Sequence, residues 1–228
     1  MDAQSPEEIR PPMAAIDREA IIRKWDDDIE ALEKLDQDQV DPEGAVLLLG
    51  SSSIRRWEDA QAMLAPYPVI RRGYGGARYS DLVVFASRLI HPHQYSAVVI
   101  FVGNDIAGKD QDRQPEEVET WVRETIRVSL AHQPDAAVLL VEVTPTAKRF
   151  AVWPQIQELN SMLHEVAESL TGVHFVATSQ HYLDSEGQPR EQLFVSDRLH
   201  LNEDGYQIWA SLIREKLDAV VPATVNRP

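Results

Sequence analysis

The stretch Ala45-Val46-Leu47-Leu48-Leu49-Gly50-Ser51-Ser52-Ser53-Ile54-Arg55-Arg56-Trp57 decides how this chain is read. A short apolar run stops abruptly at a glycine and three serines, and a helical pattern follows. A parallel strand covered on both faces reads as a continuous apolar run. Ligands in such sheets bind just beyond the carboxyl ends of the strands. Hydroxyls at a strand's C-terminal end therefore stand where a nucleophile is presented. Serine is also a favoured helix N-cap, so this stretch alone leaves both readings open.

Outward from it, strand and helix patterns alternate. Strands are predicted at Ala45 to Leu49, Pro68 to Arg72, Ala97 to Val102, Ala136 to Val143 and Val173 to Val176. Helices are predicted over Ser53 to Leu64, Tyr79 to Ile90, Pro115 to His132, Pro154 to Leu170 and Glu203 to Val220. Pro115, with Glu116 and Glu117 behind it, is a helix-start signature. Strands separated by helices imply right-handed crossovers and a parallel sheet. The expected fold is one three-layer α/β/α domain with about five parallel strands. Upstream, Ile21, Ile22, Trp25, Ile29, Leu32 and Leu35 recur in steps of three and four, giving a helix from Asp17 to about Val40 with one apolar face. Residues 1–44 are thus read as a lead and a helix packed on the domain, and 45–228 as the domain itself. Met1 to Pro12 and Pro222 to Pro228 read as a loosely packed lead and a frayed tail.

Composition narrows the function classes. The formal net charge of -15 over 228 residues disfavours nucleic acid, whose phosphates it repels. The absence of cysteine excludes disulfides, thiolate metal sites and cysteine nucleophiles. No apolar run approaches the roughly 18 residues of a membrane span, and the acidic start carries no apolar signal core. The expectation is a cytoplasmic protein. His91-Pro92-His93 has no nearby carboxylate or third histidine in sequence and reads as a surface loop rather than a metal site.

Polar clusters follow four strands: Gly50-Ser51-Ser52-Ser53, Gly73-Tyr74-Gly75-Gly76, Gly103-Asn104-Asp105, and Asp197-Arg198-Leu199-His200 in the loop after the fifth. In a parallel sheet these ends share one edge. A serine hydroxyl needs a base, histidine is the usual one, and an aspartate on the other ring nitrogen fixes its tautomer. Asp197 and His200 are three apart, within reach of one turn. Glycine N–H groups and the Asn104 amide are donors for a developing oxyanion. Two other readings fit less well. Ile54 stands where the Gly-x-Ser-x-Gly elbow needs glycine, and Arg78 replaces the last glycine of a dinucleotide fingerprint.

Gly50-Ser51-Ser52, Gly76, Gly103-Asn104-Asp105 and Asp197-x-x-His200 resemble, in order and spacing, the four blocks of the SGNH (GDSL-type) hydrolases. The likeness runs from about Ala45 to Val220. It leans towards the branch similar to the platelet-activating-factor acetylhydrolase catalytic subunits. The resemblance implies a flavodoxin-like sheet and an esterase or acylhydrolase needing no cofactor or metal. It implies Ser52 as nucleophile, His200 as base and Asp197 as orienting acid. It also implies an oxyanion hole from the Ser52 and Gly76 N–H groups and the Asn104 side chain. One departure stands out: the family's aspartate before the nucleophile is Ser51 here, and Ser53 is left to cap the helix.

The loops Ile106 to Gln114 and Thr144 to Trp153 are expected to wall the pocket, with Lys148, Arg149, Phe150 and Trp153 in them and Arg55 and Arg78 at the rim. With no long apolar groove in the pattern, the expected substrate is a small-molecule or carbohydrate ester with a short, acetyl-like acyl group. A silent binding module, a thioesterase or a lysophospholipase-like activity are the alternatives. The amphipathic N-terminal helix is the element to inspect for a homodimer contact.

Overall fold

The computed structural model describes residues 13–221; the predicted lead and tail lie outside them. Five strands, β1 (Val46–Gly50), β2 (Val69–Gly73), β3 (Ala97–Phe101), β4 (Ala137–Val141) and β5 (Val173–Val176), form one parallel sheet in the order β2-β1-β3-β4-β5. That is the flavodoxin-like strand order. Each strand lies within two residues of its predicted run, because both faces of the sheet are covered and the apolar signal is continuous.

Alternate strand residues feed two cores. Leu47, Leu49, Val98, Ile100, Val138 and Leu140 pack against Tyr79, Leu82, Trp121 and Ile156 on one face. The helices there are α1 (Arg18–Asp38), α4 (Tyr79–Ile90), α5 (Pro115–His132) and α6 (Trp153–Ser169). Val46, Leu48, Val99, Leu139 and Val141 pack against Ile54, Trp57, Trp209 and Ile213 on the other. Here lie the short α2 (Ser52–Arg55) and α3 (Ala60–Met63), and α8 (Glu203–Val220). The small α7 (Ser179–Tyr182) follows β5 and adds Tyr182 to the same core.

Two local expectations change. The predicted helix over Ser53 to Leu64 is two short helices broken around Trp57. Trp57 stacks on Tyr206 of α8 with ring centroids 5.5 Å apart and is nearly fully buried, so tertiary packing overrides the local pattern. The N-cap is Ser51 rather than Ser53, and its side chain makes no capping bond. The loop over Thr144 to Trp153 contains a 3₁₀ turn, Ala147–Val152.

Register sets the active edge. Gly50 lies opposite Gly73 on one side and Phe101 on the other, so β1, β2 and β3 finish level. Gly50 has φ +150°, and a Cβ there would run into the Phe101 carbonyl. Only glycine lets β1 and β3 close up at this point.

α1 begins with Asp17 accepting from the Ala20 N–H at 3.0 Å and lies along α4. Arg88 of α4 reaches Glu33 through Nε and Nη2 at 2.6 and 2.8 Å, and Asp26 through Nη1 at 2.6 Å. Deeper, the buried Arg72 pairs with Asp36, its Nε donating at 2.7 Å. His93 is buried too, which corrects the surface-loop reading. Its Nδ1 lies 3.1 Å from Asp41, and its Nε2 lies 3.4 Å from Asp36 without hydrogen-bond alignment. The two carboxylates that hold it come from α1 and the turn after it, far away in sequence.

Removing one partner of a buried ion pair strands the other charge in low dielectric. Asp36→Ala is expected to cost about 3 kcal/mol by urea denaturation. Glu33→Ala, in the partly exposed Arg88 cluster, is expected to cost less than about 1 kcal/mol. Equal losses would show that burial does not separate the two clusters.

Candidate active site

The level strand ends deliver three segments to one edge. Ser52 is the first residue of α2, where a helix N–H has no intrahelical acceptor. Its Oγ lies 2.9 Å from His200 Nε2. His200 Nδ1 lies 2.6 Å from Asp197 Oδ2. With Asp197 ionised, the proton sits on Nδ1, and Nε2 is free to accept from the serine hydroxyl.

The Asp197–His200 turn is built by the same carboxylate. Asp197 Oδ1 accepts from the Leu199 and His200 N–H groups, both at 2.9 Å. Arg198 between them takes φ 59°. The His200 carbonyl accepts from Val195 N–H, and the Arg198 carbonyl from Lys148 N–H. Partial burial pushes the Asp197 carboxyl up, but hydrogen bonds from the His200 backbone and ring and from Leu199 outweigh it and hold it down to about 2. Its stabilising effect is therefore present above the ordinary value of 3.8 and is lost as pH falls through about 2. Arg56 adds a cation 3.5 Å from Oδ2.

Gly76 and Asn104 meet, and Asn104 lines the recess beside Ser52. A Cβ on Gly76 would lie 4.0 Å from Asn104 Nδ2, so the loop backbone and the amide nitrogen are neighbours. Asn104 Nδ2 donates one hydrogen to the Ala77 carbonyl at 3.0 Å, leaving the other. Its Oδ1 accepts from Arg149 Nη2 at 2.7 Å, while Nη1 of the same guanidinium donates to the Gly103 carbonyl. Arg149 thus fixes which end of the amide is nitrogen. The sequence placed Arg149 in a pocket wall but gave no sign of this grip. Burial pushes its pKa down, with Asp112 and Asp105 pulling the other way, and the guanidinium stays charged. Gly75, at φ +32°, has no room for a Cβ because the Trp25 ring of α1 lies against it. Trp25 also meets Tyr74 edge-on, with centroids 5.4 Å apart. The first helix therefore braces the loop that carries Gly76.

Two cavities share Asn104 and Arg149. The smaller holds about 30 Å³ beside Ser52 and His200, walled by Phe101, Val143, Thr146 and Leu199. The larger, about 530 Å³, opens from Gly76 and Asn104 towards α1. Of the predicted wall residues, Arg149 and Arg78 line them, as do Lys109 and Gln111 from the loop after β3. Arg55, Lys148 and Phe150 line neither, and Trp153 faces a separate cavity with Glu142 and His164. Among the described residues, no group of three or more His, Cys, Asp or Glu side chains is placed to hold a metal ion. No described helix is long and apolar enough to cross a membrane.

The sequence model of the GDSL-like lipase/acylhydrolase family matches residues 25–208, most of the chain. The chain belongs to that family. This acylhydrolase is accordingly a carboxylic ester hydrolase, and the match takes in most of α1 as well as the sheet. Its fold is similar to a protein of Streptococcus pneumonia provisionally described as a platelet activating factor, at 20% identity and TM-score 0.75 over 87% of this chain and 95% of that one. A GDSL-like lipase of Bacteroides thetaiotaomicron matches at 19% identity and TM-score 0.73, covering 85% and 98% of the two chains. A carbohydrate esterase family 3 protein of Talaromyces cellulolyticus matches at 17% identity and TM-score 0.60, covering 77% and 96%. These likenesses establish the fold. No curated protein matches the sequence.

Behind Asn104, Asp105 is fully buried, and its carboxyl accepts from the Tyr79 N–H that opens α4, at 3.1 Å. Burial pushes its pKa up to about 7, against the pull of the Tyr79 N–H and Arg78. A raised acid favours the folded state in its protonated form. That contribution is complete below the ordinary value of 3.8 and is lost as pH rises through about 7. The acylhydrolase should therefore lose stability between about pH 4 and 7 by urea denaturation, and Asp105→Asn should lose much less. Equal losses in both proteins would free Asp105 of this role.

Proposed function

We propose that this acylhydrolase cleaves short-chain, acetyl-like esters through a covalent acyl-enzyme on Ser52. The observation that supports this most is the continuous chain from Ser52 Oγ to His200 Nε2 and from His200 Nδ1 to Asp197, at 2.9 and 2.6 Å, assembled from segments 148 residues apart. Ser52 attacks the ester carbonyl as His200 takes its proton. Asp197 holds the imidazole in the required tautomer and stabilises the imidazolium. The oxyanion is met by the Ser52 and Gly76 N–H groups and by the free hydrogen of the Asn104 amide. His200 then protonates the leaving alcohol. Water, activated by the same imidazole, releases the acid and restores the serine.

The size of the recess supports the short acyl group. About 30 Å³ is room for roughly two waters, which suits a two-carbon acyl chain. A panel of 4-nitrophenyl esters from acetyl to palmitoyl, run beside acetylated sugars, should show kcat/KM highest at acetyl. A maximum at long chains would overturn the acetyl assignment and leave the esterase standing.

A fluorophosphonate should label the native protein, and Ser52→Ala should abolish the labelling. Labelling that survives the substitution, or none in folded protein, would sink the Ser52 mechanism and favour a silent binding module. Asn104→Ala should lose about 10²–10³ in kcat while remaining folded, the usual effect of deleting one oxyanion donor. Arg149→Met leaves the donor but frees the amide to turn, and is expected to cost about tenfold in kcat on 4-nitrophenyl acetate. An unchanged kcat in that variant would reduce Arg149 to a wall residue.

A further inference from the structure

The larger cavity runs against the charge of the molecule. The chain carries a net -15, yet Lys24, Arg78, Lys109, Arg113 and Arg149 line this one cleft against only Asp17 and Asp81. Both acids are engaged by backbone: Asp17 accepts from Ala20 N–H at the start of α1, and Asp81 from Arg78 N–H at 3.0 Å. Most of the cations lack a contact ion pair. Among the described residues, Lys24, Arg78, Lys109 and Arg149 form no ion pair with a carboxylate. Lys24 Nζ sits 4.4 Å over the Trp25 ring, and Arg78 Nη1 donates to the Gln111 carbonyl at 2.8 Å. Arg113 has Glu117 at 3.8 Å and lies over the Trp121 ring. The buried Asp105 pulls on Arg78, Arg113 and Arg149, and Asp112 pulls on Arg149, without a contact ion pair. Like charges facing one another across a cleft without contact ion pairs cost stability, and an anion between them relieves that cost. A cleft lined by one sign of charge also concentrates ligands of the opposite sign.

The cleft's position says which part of the substrate enters it. It begins at Gly76 and Asn104 and shares Arg149 with the recess beside Ser52. With a short acyl group in that recess, the larger space is where the rest of the ester fits. At about 530 Å³ that space is in the ordinary range for a small-molecule site. Resting on the esterase reading above, we infer that the natural substrate is a short-chain ester of an alcohol bearing an anionic oxygen group, phosphate or carboxylate, held by Lys24, Arg78, Lys109 and Arg149. α1 and the loop after β3 supply Lys24 and Lys109, so the anion is read by elements that contribute nothing to the Ser52–His200–Asp197 chain.

Matched esters test this. The first pair is 2-acetoxyethyl phosphate and 2-acetoxyethanol; the second is 2-acetoxypropanoate and its amide. In at least one pair the anionic ester should have a kcat/KM about tenfold higher, and the preference should shrink as salt screens the cleft. The pair that shows it identifies the anion. Lys24→Glu with Lys109→Glu should reduce that preference about tenfold. Lys216→Glu, on α8 and away from the cleft, should leave it intact and controls for net charge. Equal kcat/KM within both pairs, or a preference that survives the double reversal, overturns the proposal while leaving the esterase in place. A preference for mono-4-nitrophenyl succinate over 4-nitrophenyl butyrate would put the anion on the acyl side and overturn the assignment to the alcohol. Hydrolysis of none of these esters, with no fluorophosphonate labelling, would instead be the failure of the esterase reading.

Discussion

The close approach of β1 to β3 at Gly50 governs the rest of the molecule. The Phe101 carbonyl occupies the place of a side chain at Gly50 and accepts from the Ser51 N–H at 3.1 Å. That contact brings the ends of the neighbouring strands level and turns the chain at once into α2. Ser52 thereby stands at a helix start with its N–H unengaged, on the edge where the loops after β2 and β3 also emerge. A side chain at position 50 would part the strands and misplace three segments together.

Around this fixed edge His200 and the Gly76–Asn104 pair are secured in different ways. His200 is held locally, by one carboxylate that closes a four-residue turn and orients the ring it precedes. Gly76 and Asn104 are held at long range. Trp25 of the first helix closes over Gly75, and Arg149 from the turn after β4 grips Asn104. Family membership begins inside that helix, at residue 25. The helix is joined to the rest of the domain by ion pairs to Arg88 of α4, by the buried Arg72 and by an aromatic contact on the loop after β2.

What could be read from the sequence follows from the range of the interactions involved. The strands were legible because two-sided burial imposes an unbroken apolar run such as Val46 to Leu49. Ser52, Asp197 and His200 were legible because their side chains carry distinctive chemistry at strand ends, and the structure brings those three together. Three features were not. Arg149 lies in a polar loop, and nothing local separates an arginine that orients an amide from one that faces solvent. His93 sits in a His-Pro-His run that reads as surface; its burial depends on Asp36 and Asp41, more than fifty residues earlier. The break at Trp57 depends on Tyr206 and Trp209 of the last helix. In each case the deciding partner comes from another part of the chain.

The wide separation of Ser52 from His200 also bears on the life of the chain during synthesis. Ser52 is made early, and the histidine that meets its hydroxyl comes 148 residues later. Until then the hydroxyl is an ordinary alcohol, too weakly nucleophilic to attack an ester. On the mechanism proposed above, reactivity would require the turn at Asp197 to be in place.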